Sequence, residues 1–282
     1  MSDREQWQLE GSAPEMYQRY LVPAITSVWA TDLADRAALR SGERVLDVAC
    51  GTGVLARLAA ERVGTGGRVA ALDLNPGMLA TARSLAPVAG APIEWHQGSA
   101  LALPFPDAAF DIVFCQLGLQ FFSDRAAALR EFRRMLAPTG RIALNVFGPI
   151  EHNPATRALA AALDSRVHPD ASAVKRAEHA LADPVQLRAL VRGAGFPDVA
   201  IHTAQKTPRF PSVTDYVRVQ LAATPLAGVI ANYDSAARDR MVDSLIEDVS
   251  AALARYLVDE ALFFPQEVHI VLARSGSSPT MP

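Results

Sequence analysis

The side chains best placed for chemistry in this sequence are two carboxylates arranged around two glycines. Asp47 stands in a short apolar run, 44–48, that leads into Gly51 and Gly53, and Asp73 closes the next such run twenty residues after Gly53. Glycines between a strand and a helix allow backbone dihedrals and close approach that a Cβ would block. They bring backbone N–H groups and a helix terminus up to a ligand. An ionised carboxylate at Asp73 is acceptor-only and has two oxygens, which suits both hydroxyls of a ribose. Gly51-x-Gly53-x-x-Ala56 with Asp73 also satisfies the fingerprint of a nicotinamide dinucleotide site. Asp47 separates the two readings. A carboxylate just before the glycine loop would repel a pyrophosphate, yet it suits a cofactor that carries an ammonium and a sulfonium. The pattern therefore favours S-adenosyl-L-methionine, with S-adenosyl-L-homocysteine as the product. A dehydrogenase would instead show affinity for a dinucleotide and would tolerate Asp47→Asn.

Methyl transfer asks little of a protein when the acceptor is already nucleophilic, because alignment supplies much of the acceleration. A general base is needed only where the acceptor must lose a proton early. His152, just beyond the fifth predicted strand and at the edge where open α/β sheets bind ligands, is the catalytic candidate. His168 and His179 fall in the expected cap, and His96, His202 and His269 lie within predicted strands.

The elements that must position these residues follow from periodicity. Helical spacing runs through the first forty residues, with Pro23 as an interruption and a second helix over 28–39. Strands over 44–48, 69–74, 93–97, 110–116 and 141–147 then alternate with helices over 54–63, 76–85 and 124–137. Asn75-Pro76 has the chemistry of an N-cap followed by the first helical residue. Pro138-Thr139-Gly140 closes the third of those helices. Strands joined by helical crossovers imply a parallel sheet covered on both faces. Helices are expected over 154–165, 171–181, 183–194, 213–229 and 235–258, with strands over 199–206 and 267–274.

The run Val45 to Gly53, with Ala71 to Met78, resembles class I methyltransferases of the ubiquinone/menaquinone-biosynthesis type. Gln97 to Phe105, Phe110 to Val113 and Arg133 to Gly140 continue the similarity, which covers about residues 41–147. The resemblance implies a doubly wound, mostly parallel seven-stranded α/β sheet with an antiparallel last strand and a helical lid. It implies that Asp47, Ala49, Gly51 and Gly53 face the methionine part of the cofactor, with Cys50 inside the same loop. Asp73 would take the ribose hydroxyls, and Leu74 and Met78 the adenine. Gly98, Ser99 and Ala100 would lie at the adenine edge, with Cys115 and Gln116 near the sulfonium. Similar proteins often carry Asp where this chain has Ser99, so here the hydroxyl or the Ala100 backbone must serve. Tyr17 and Tyr20 would close over the cofactor. Tyr20, with Gln120 and Phe121 after the fourth strand and Phe263 and Phe264 before the last, would line the acceptor pocket.

Aromatic residues with few charges there point to a small, fairly apolar acceptor, such as a quinone or secondary metabolite. A protein of the same fold that binds the cofactor in a regulatory or pericyclic role shares every motif, and turnover separates the two. The 282 residues carry a formal net charge of only −3, which argues against a nucleic-acid partner. No apolar run approaches the roughly 20 residues of a membrane span. The first residues lack a signal-peptide layout, and Cys50 and Cys115 read as core thiols, so a cytoplasmic protein is expected. A homodimer is compatible with the sequence. The expected organisation is N-terminal helices over 1–40, a cofactor-binding core over 41–148, and lid helices over 149–182. A helix and strand over 183–210 complete the sheet, cap helices span 211–262, the last strand falls within 263–276, and a tail spans 277–282. No metal site is expected.

Overall fold

The apolar runs of the first half lie in one sheet as β1 (Arg44–Val48), β2 (Arg68–Asp73), β3 (Ile93–Gln97), β4 (Phe110–Gln116) and β5 (Leu136–Phe147). The computed structural model describes residues 11–230 and 233–276, so the 277–282 tail and the first ten residues lie outside the described residues. The remaining strands are β6 (Val199–Lys206), β7 (Arg209–Phe210), β8 (Leu257–Val258), β9 (Ala261–Phe263) and β10 (Gln266–Arg274). The large sheet has seven strands in the order β3-β2-β1-β4-β5-β10-β6. β1 to β5 pair in parallel, and β10 runs antiparallel to both β5 and β6. This is the expected doubly wound sheet with its antiparallel last strand. The chain leaves β1 toward β3 on one side and returns at β4 on the other. A crevice opens at such a reversal, beyond the carboxyl ends of the strands.

Helices α1 (Ala13–Met16), α2 (Ser27–Ala37), α3 (Val54–Val63), α4 (Pro76–Ser84) and α5 (Arg125–Met135) belong to the first half. The second half holds α6 (Pro154–Arg166), α7 (Ala173–Ala177), α8 (Pro184–Gly193), α9 (Val213–Ala223), α10 (Ala227–Ile230) and α11 (Ser235–Leu253). Trp29 and Leu33 of α2 and Leu55 of α3 bury one face of the sheet, while Leu129 and Phe132 of α5 with Leu187 of α8 bury the other. α11 packs on α6 and α9 as the cap. The Asn75 cap is formed as its sequence implies: Oδ1 accepts from the Gly77 and Met78 amides at 2.8 and 3.1 Å. Asp124 and Asp183 cap α5 and α8 in the same way.

Several boundaries depart from the sequence reading. Pro23 does not interrupt the N-terminal helix; Tyr17–Thr26 is a ten-residue π-helical stretch that runs through it. There the Ser27 amide reaches back to the Val22 carbonyl, a wider turn than the α-helix makes. β5 starts at Leu136 rather than Arg141, because residues 137–140 bulge opposite Asp111 and pairing resumes beyond them. The expected helix over 213–229 is split after Ala223, since Pro225 forces Thr224 into an extended conformation. The expected helix over 235–258 ends at Leu253, and β8 then joins a small three-stranded sheet, β7-β9-β8, absent from the sequence reading. Within 171–181 only α7 is α-helical, and the chain beyond it continues in i→i−3 turns such as His179 N–H to Arg176 O. No helix among the described residues is long and apolar enough to cross a membrane.

Candidate functional site

Backbone strain marks the two strand ends at the crevice. Ala49, just after β1, has φ 56°, and Leu117, just after β4, has φ 50°. A left-handed conformation costs a residue with a Cβ about 1–2 kcal/mol. Such residues concentrate where a site needs a particular backbone path. Both residues line one cavity of about 320 Å³. Leu117 is held there by Asn145, whose Oδ1 and backbone oxygen accept its amide at 2.9 and 3.0 Å. Gly51 shares this conformation with φ 56° and also lines the cavity. Gly53 serves packing: a Cβ there would stand 2.3 Å from the Trp95 ring.

Asp73 is clamped by backbone. Its Oδ2 accepts the Gly51 amide at 2.7 Å and its Oδ1 the Asn75 amide at 2.8 Å. Each oxygen keeps acceptor capacity toward the cavity. Burial raises its pKa against the lowering effect of those amides. Asp47 is almost fully buried, and its pKa is pushed up to about 8, chiefly by burial and further by the charge of Asp73. The Ala56 amide donates to it, yet its Oδ2 is buried without a hydrogen-bond partner. The same two carboxylates bear on their neighbours. Burial first, then Asp73 and Asp47, raises the Cys50 thiol, and Tyr17 is pushed up to about 12 by burial with a contribution from both. The floor presents carboxyl oxygens, and among the described residues neither Asp has an ion-paired cation, which fits a cationic ligand.

The π-helical segment covers this floor, contributing Tyr17, Leu21, Ile25 and Thr26 to the cavity. Gln116 ties it down, with Nε2 donating to the Thr26 carbonyl at 2.6 Å, while Oε1 is buried without a partner. The far wall comes from the cap. Lys175 lies there with Nζ 2.6 Å from Glu178 Oε1 and 2.9 Å from Gln220 Oε1. The Tyr216 hydroxyl bonds to Thr156 and is raised by burial and by the nearby Glu178 charge. Phe264 stacks on Phe210 at 6.2 Å and meets Tyr216 edge-on at 5.6 Å.

The cavity thus brings together Tyr17, Ala49, Gly51, Asp73, Leu74 and Met78 of the expected cofactor set, along with Gly98, Ser99, Ala100 and Gln116. Ser99 Oγ already accepts the Leu101 amide at 3.2 Å. Of the expected acceptor residues, Phe121 and Phe264 line it. Asp47, Cys50, Gly53 and Cys115 lie behind the lining rather than in it. Tyr20 points outward beside Arg19, 5.3 Å from its ring centroid. Gln120 is buried and donates to the Leu117 carbonyl at 2.9 Å, supporting the strained turn. Phe263 belongs to the small sheet, under Arg209 at 5.7 Å. His152 sits outside the cavity, its Nδ1 3.0 Å from Glu267 Oε1. His179 is buried, has its pKa lowered by burial, and bonds the Gly148 carbonyl through Nδ1 at 2.6 Å. Sequence reasoning did not select Asn145, Lys175, Glu178, Tyr216 or Gln220 for the site. The one available signal was that Lys175 is among only two lysines in 27 basic residues.

Residues 46–144, about a third of the chain, match a family model described as a methyltransferase domain. The demethylmenaquinone methyltransferase of Thermus thermophilus is 42% identical over 121 residues, covering 43% of this chain and 54% of that protein. The 2-phytyl-1,4-naphtoquinone methyltransferase of Thermosynechococcus vestitus is 42% identical over 132 residues, 47% of this chain and 56% of that one. The chain spans about half the length of these curated relatives. Beyond the matched segment the likeness is one of fold: the YcgJ protein of Bacillus subtilis superposes with a TM-score of 0.56 at 20% identity, over 88% of this chain and 98% of that one. Residues 46–144 thus match a methyltransferase domain, and the fold in which they sit is of the Rossmann-like kind.

Proposed function

We propose that this protein is an S-adenosyl-L-methionine-dependent methyltransferase acting on a small, fairly apolar acceptor of the quinone or secondary-metabolite class. The observation that carries the reading is Asp73, fixed between the Gly51 and Asn75 amides at the edge of the crevice, with no ion-paired cation on it among the described residues. The residues fit the cofactor. Asp73 keeps lone pairs for the ribose hydroxyls, Leu74 and Met78 flank the adenine position, and the unpaired oxygens of Asp47 and Gln116 favour positive charge. When bound, the cofactor supplies an electrophilic methyl group on a sulfonium.

The chain's own part is alignment and exclusion of water. Tyr17, Leu21 and Ile25 roof the crevice, and the Gln116 tether to Thr26 keeps that roof in place. Phe121 and Phe264 give the acceptor apolar walls. Holding acceptor and donor in one cavity converts a two-body encounter into an intramolecular one, the main source of rate for such a transfer. His152 lies outside the cavity, so no proton step is assigned to it. The quinone methylation named for the two relatives supports an aromatic acceptor. The product release implied is S-adenosyl-L-homocysteine plus a methylated ring or heteroatom.

Calorimetric titration with S-adenosyl-L-homocysteine, with NAD as the control ligand and Asp73→Ala as the control protein, tests the cofactor. Saturable binding of the first, none of NAD and a clear loss in the variant are expected. Binding of NAD instead would overturn the reading. Formation of S-adenosyl-L-homocysteine from the methionine form across a panel of naphthohydroquinones and phenols then tests transfer.

A further inference from the structure

The far wall of the cavity holds a charge pair that the cofactor reading does not use. Lys175 and Glu178 leave only 4% and 12% of their side chains exposed, and both line the cavity. Burying two charges costs several kcal/mol, which their mutual attraction does not always recover. An apolar pair would hold α7 against α9 as well. The arrangement leaves valences open. Nζ has three N–H donors, and two are taken, by Glu178 Oε1 at 2.6 Å and Gln220 Oε1 at 2.9 Å. The third has no partner among the described residues, and neither has Glu178 Oε2.

We propose that Lys175 and Glu178 form an anchor for a phenolic or enolic hydroxyl on the acceptor. The free ammonium N–H donates to the hydroxyl oxygen, and Glu178 Oε2 accepts the hydroxyl proton in a hydrogen bond. The pair itself selects that chemistry. A carboxylate on the acceptor would be repelled by Glu178, and an ammonium by Lys175, while a neutral hydroxyl satisfies both. An ether or ketone lacks the donor and would leave Glu178 Oε2 unpaired, a loss of discrimination that hydrogen-bonding sites enforce strongly. The walls set the remainder of the molecule. Phe264 meets the Tyr216 ring edge-on, and both line the same cavity as Phe121 and Phe147, so the hydroxyl is expected on a flat, apolar ring system. Gln220 fixes the Lys175 head group, and the Tyr216 hydroxyl is occupied by Thr156, so neither competes for the ligand.

The inference rests on the cavity being the acceptor site, and the test separates the two. 1-Naphthol and its methyl ether, 1-methoxynaphthalene, are titrated into the full chain in saturating S-adenosyl-L-homocysteine. Wild type should bind the naphthol at least about tenfold more tightly than the ether, the scale of one hydrogen bond to a charged group. Lys175→Met should weaken the binding of both probes, since the ammonium N–H donates to either oxygen, and leave a preference carried by Glu178. Lys175→Met combined with Glu178→Leu removes both charges and the acceptor, leaves no unpaired ion in the wall, and should bring the ratio to near one. Retained affinity for S-adenosyl-L-homocysteine shows that either variant is folded. Equal binding of the two probes by wild type, or a preference that survives in the double variant, overturns the anchor. If the cofactor product fails to bind while the naphthol preference is present and lost in the double variant, the anchor stands and the methyltransferase reading falls.

Discussion

Asp73 Oδ2 accepts the backbone amide of Gly51 at 2.7 Å, so the carboxylate ending β2 holds the turn that leaves β1. The ligand-facing residue and the loop beside it are therefore one unit. Asp73→Asn keeps the size but replaces one acceptor with a donor, which must face the Gly51 amide, the Asn75 amide or the ligand. Whichever it faces, one charge-assisted bond is lost, worth about 1.5–3 kcal/mol. Affinity for S-adenosyl-L-homocysteine should fall roughly ten- to a hundredfold by calorimetry. Unchanged affinity would remove Asp73 from the site.

Asp47 should trade stability for binding. Its folded pKa is about 8, whereas an unfolded aspartate titrates near 4. Between those values the folded state holds a proton that the unfolded chain has released, so stability falls as pH rises through the window. Asp47→Asn cannot ionise. It should match wild type at about pH 4 and exceed it progressively toward about pH 8 in urea midpoints. Its affinity for a cationic ligand should fall at the same time, because the unpaired Oδ2 is replaced by an amide. A stability difference that does not grow with pH would contradict the burial of a titrating carboxyl there.

Gly53→Ala tests whether that glycine serves packing. The new Cβ meets the Trp95 ring at 2.3 Å, and the residue sits at φ 83°. Strain and overlap together should destabilise by about 2–4 kcal/mol. Trp95→Leu in the same chain removes the overlap but not the dihedral cost, so it should restore part of the loss, read as thermal midpoints in a double-mutant cycle. Additive losses would place the effect elsewhere.

What the sequence disclosed follows the range of the forces involved. β1 and β4 were legible to the residue because buried parallel strands are short apolar runs bounded by turn residues, and the edge strand β6 because its residues alternate. The Asn75 cap was legible because its chemistry is local. Asp73 and Gly51 were selected from spacing, and the cavity includes both. The π-helix was not, since Pro23 normally ends a helix and only tertiary packing selects the wider turn. Lys175 and Gln220 meet from positions 45 residues apart, through the packing of the cap, and no local pattern records that. Asn145, bonded to Leu117 across two strands, is hidden in the same way. Asp47 and Gly53 have the residue types a ligand loop needs, yet their side of the turn faces the interior.

One side chain ties the roof of the crevice to the end of β4. Gln116 Nε2 donates to the Thr26 carbonyl at 2.6 Å, joining the end of β4 to the end of the π-helical stretch. The Thr26 carbonyl belongs to the last turn of that stretch. The Tyr17, Leu21 and Ile25 side chains reach the cavity from the same segment. Gln116→Ala should leave the sheet intact, because the strand pairing of β4 uses backbone groups alone. It should loosen the segment by about 1 kcal/mol, the net worth of one hydrogen bond. Amide hydrogen exchange over 17–26 should then quicken about fivefold, with protection in β1 and β4 unchanged. Affinity for S-adenosyl-L-homocysteine should fall by a similar factor, because the ligand must now order its own cover. Faster exchange without weaker binding would mean that the segment covers the crevice without closing on the ligand.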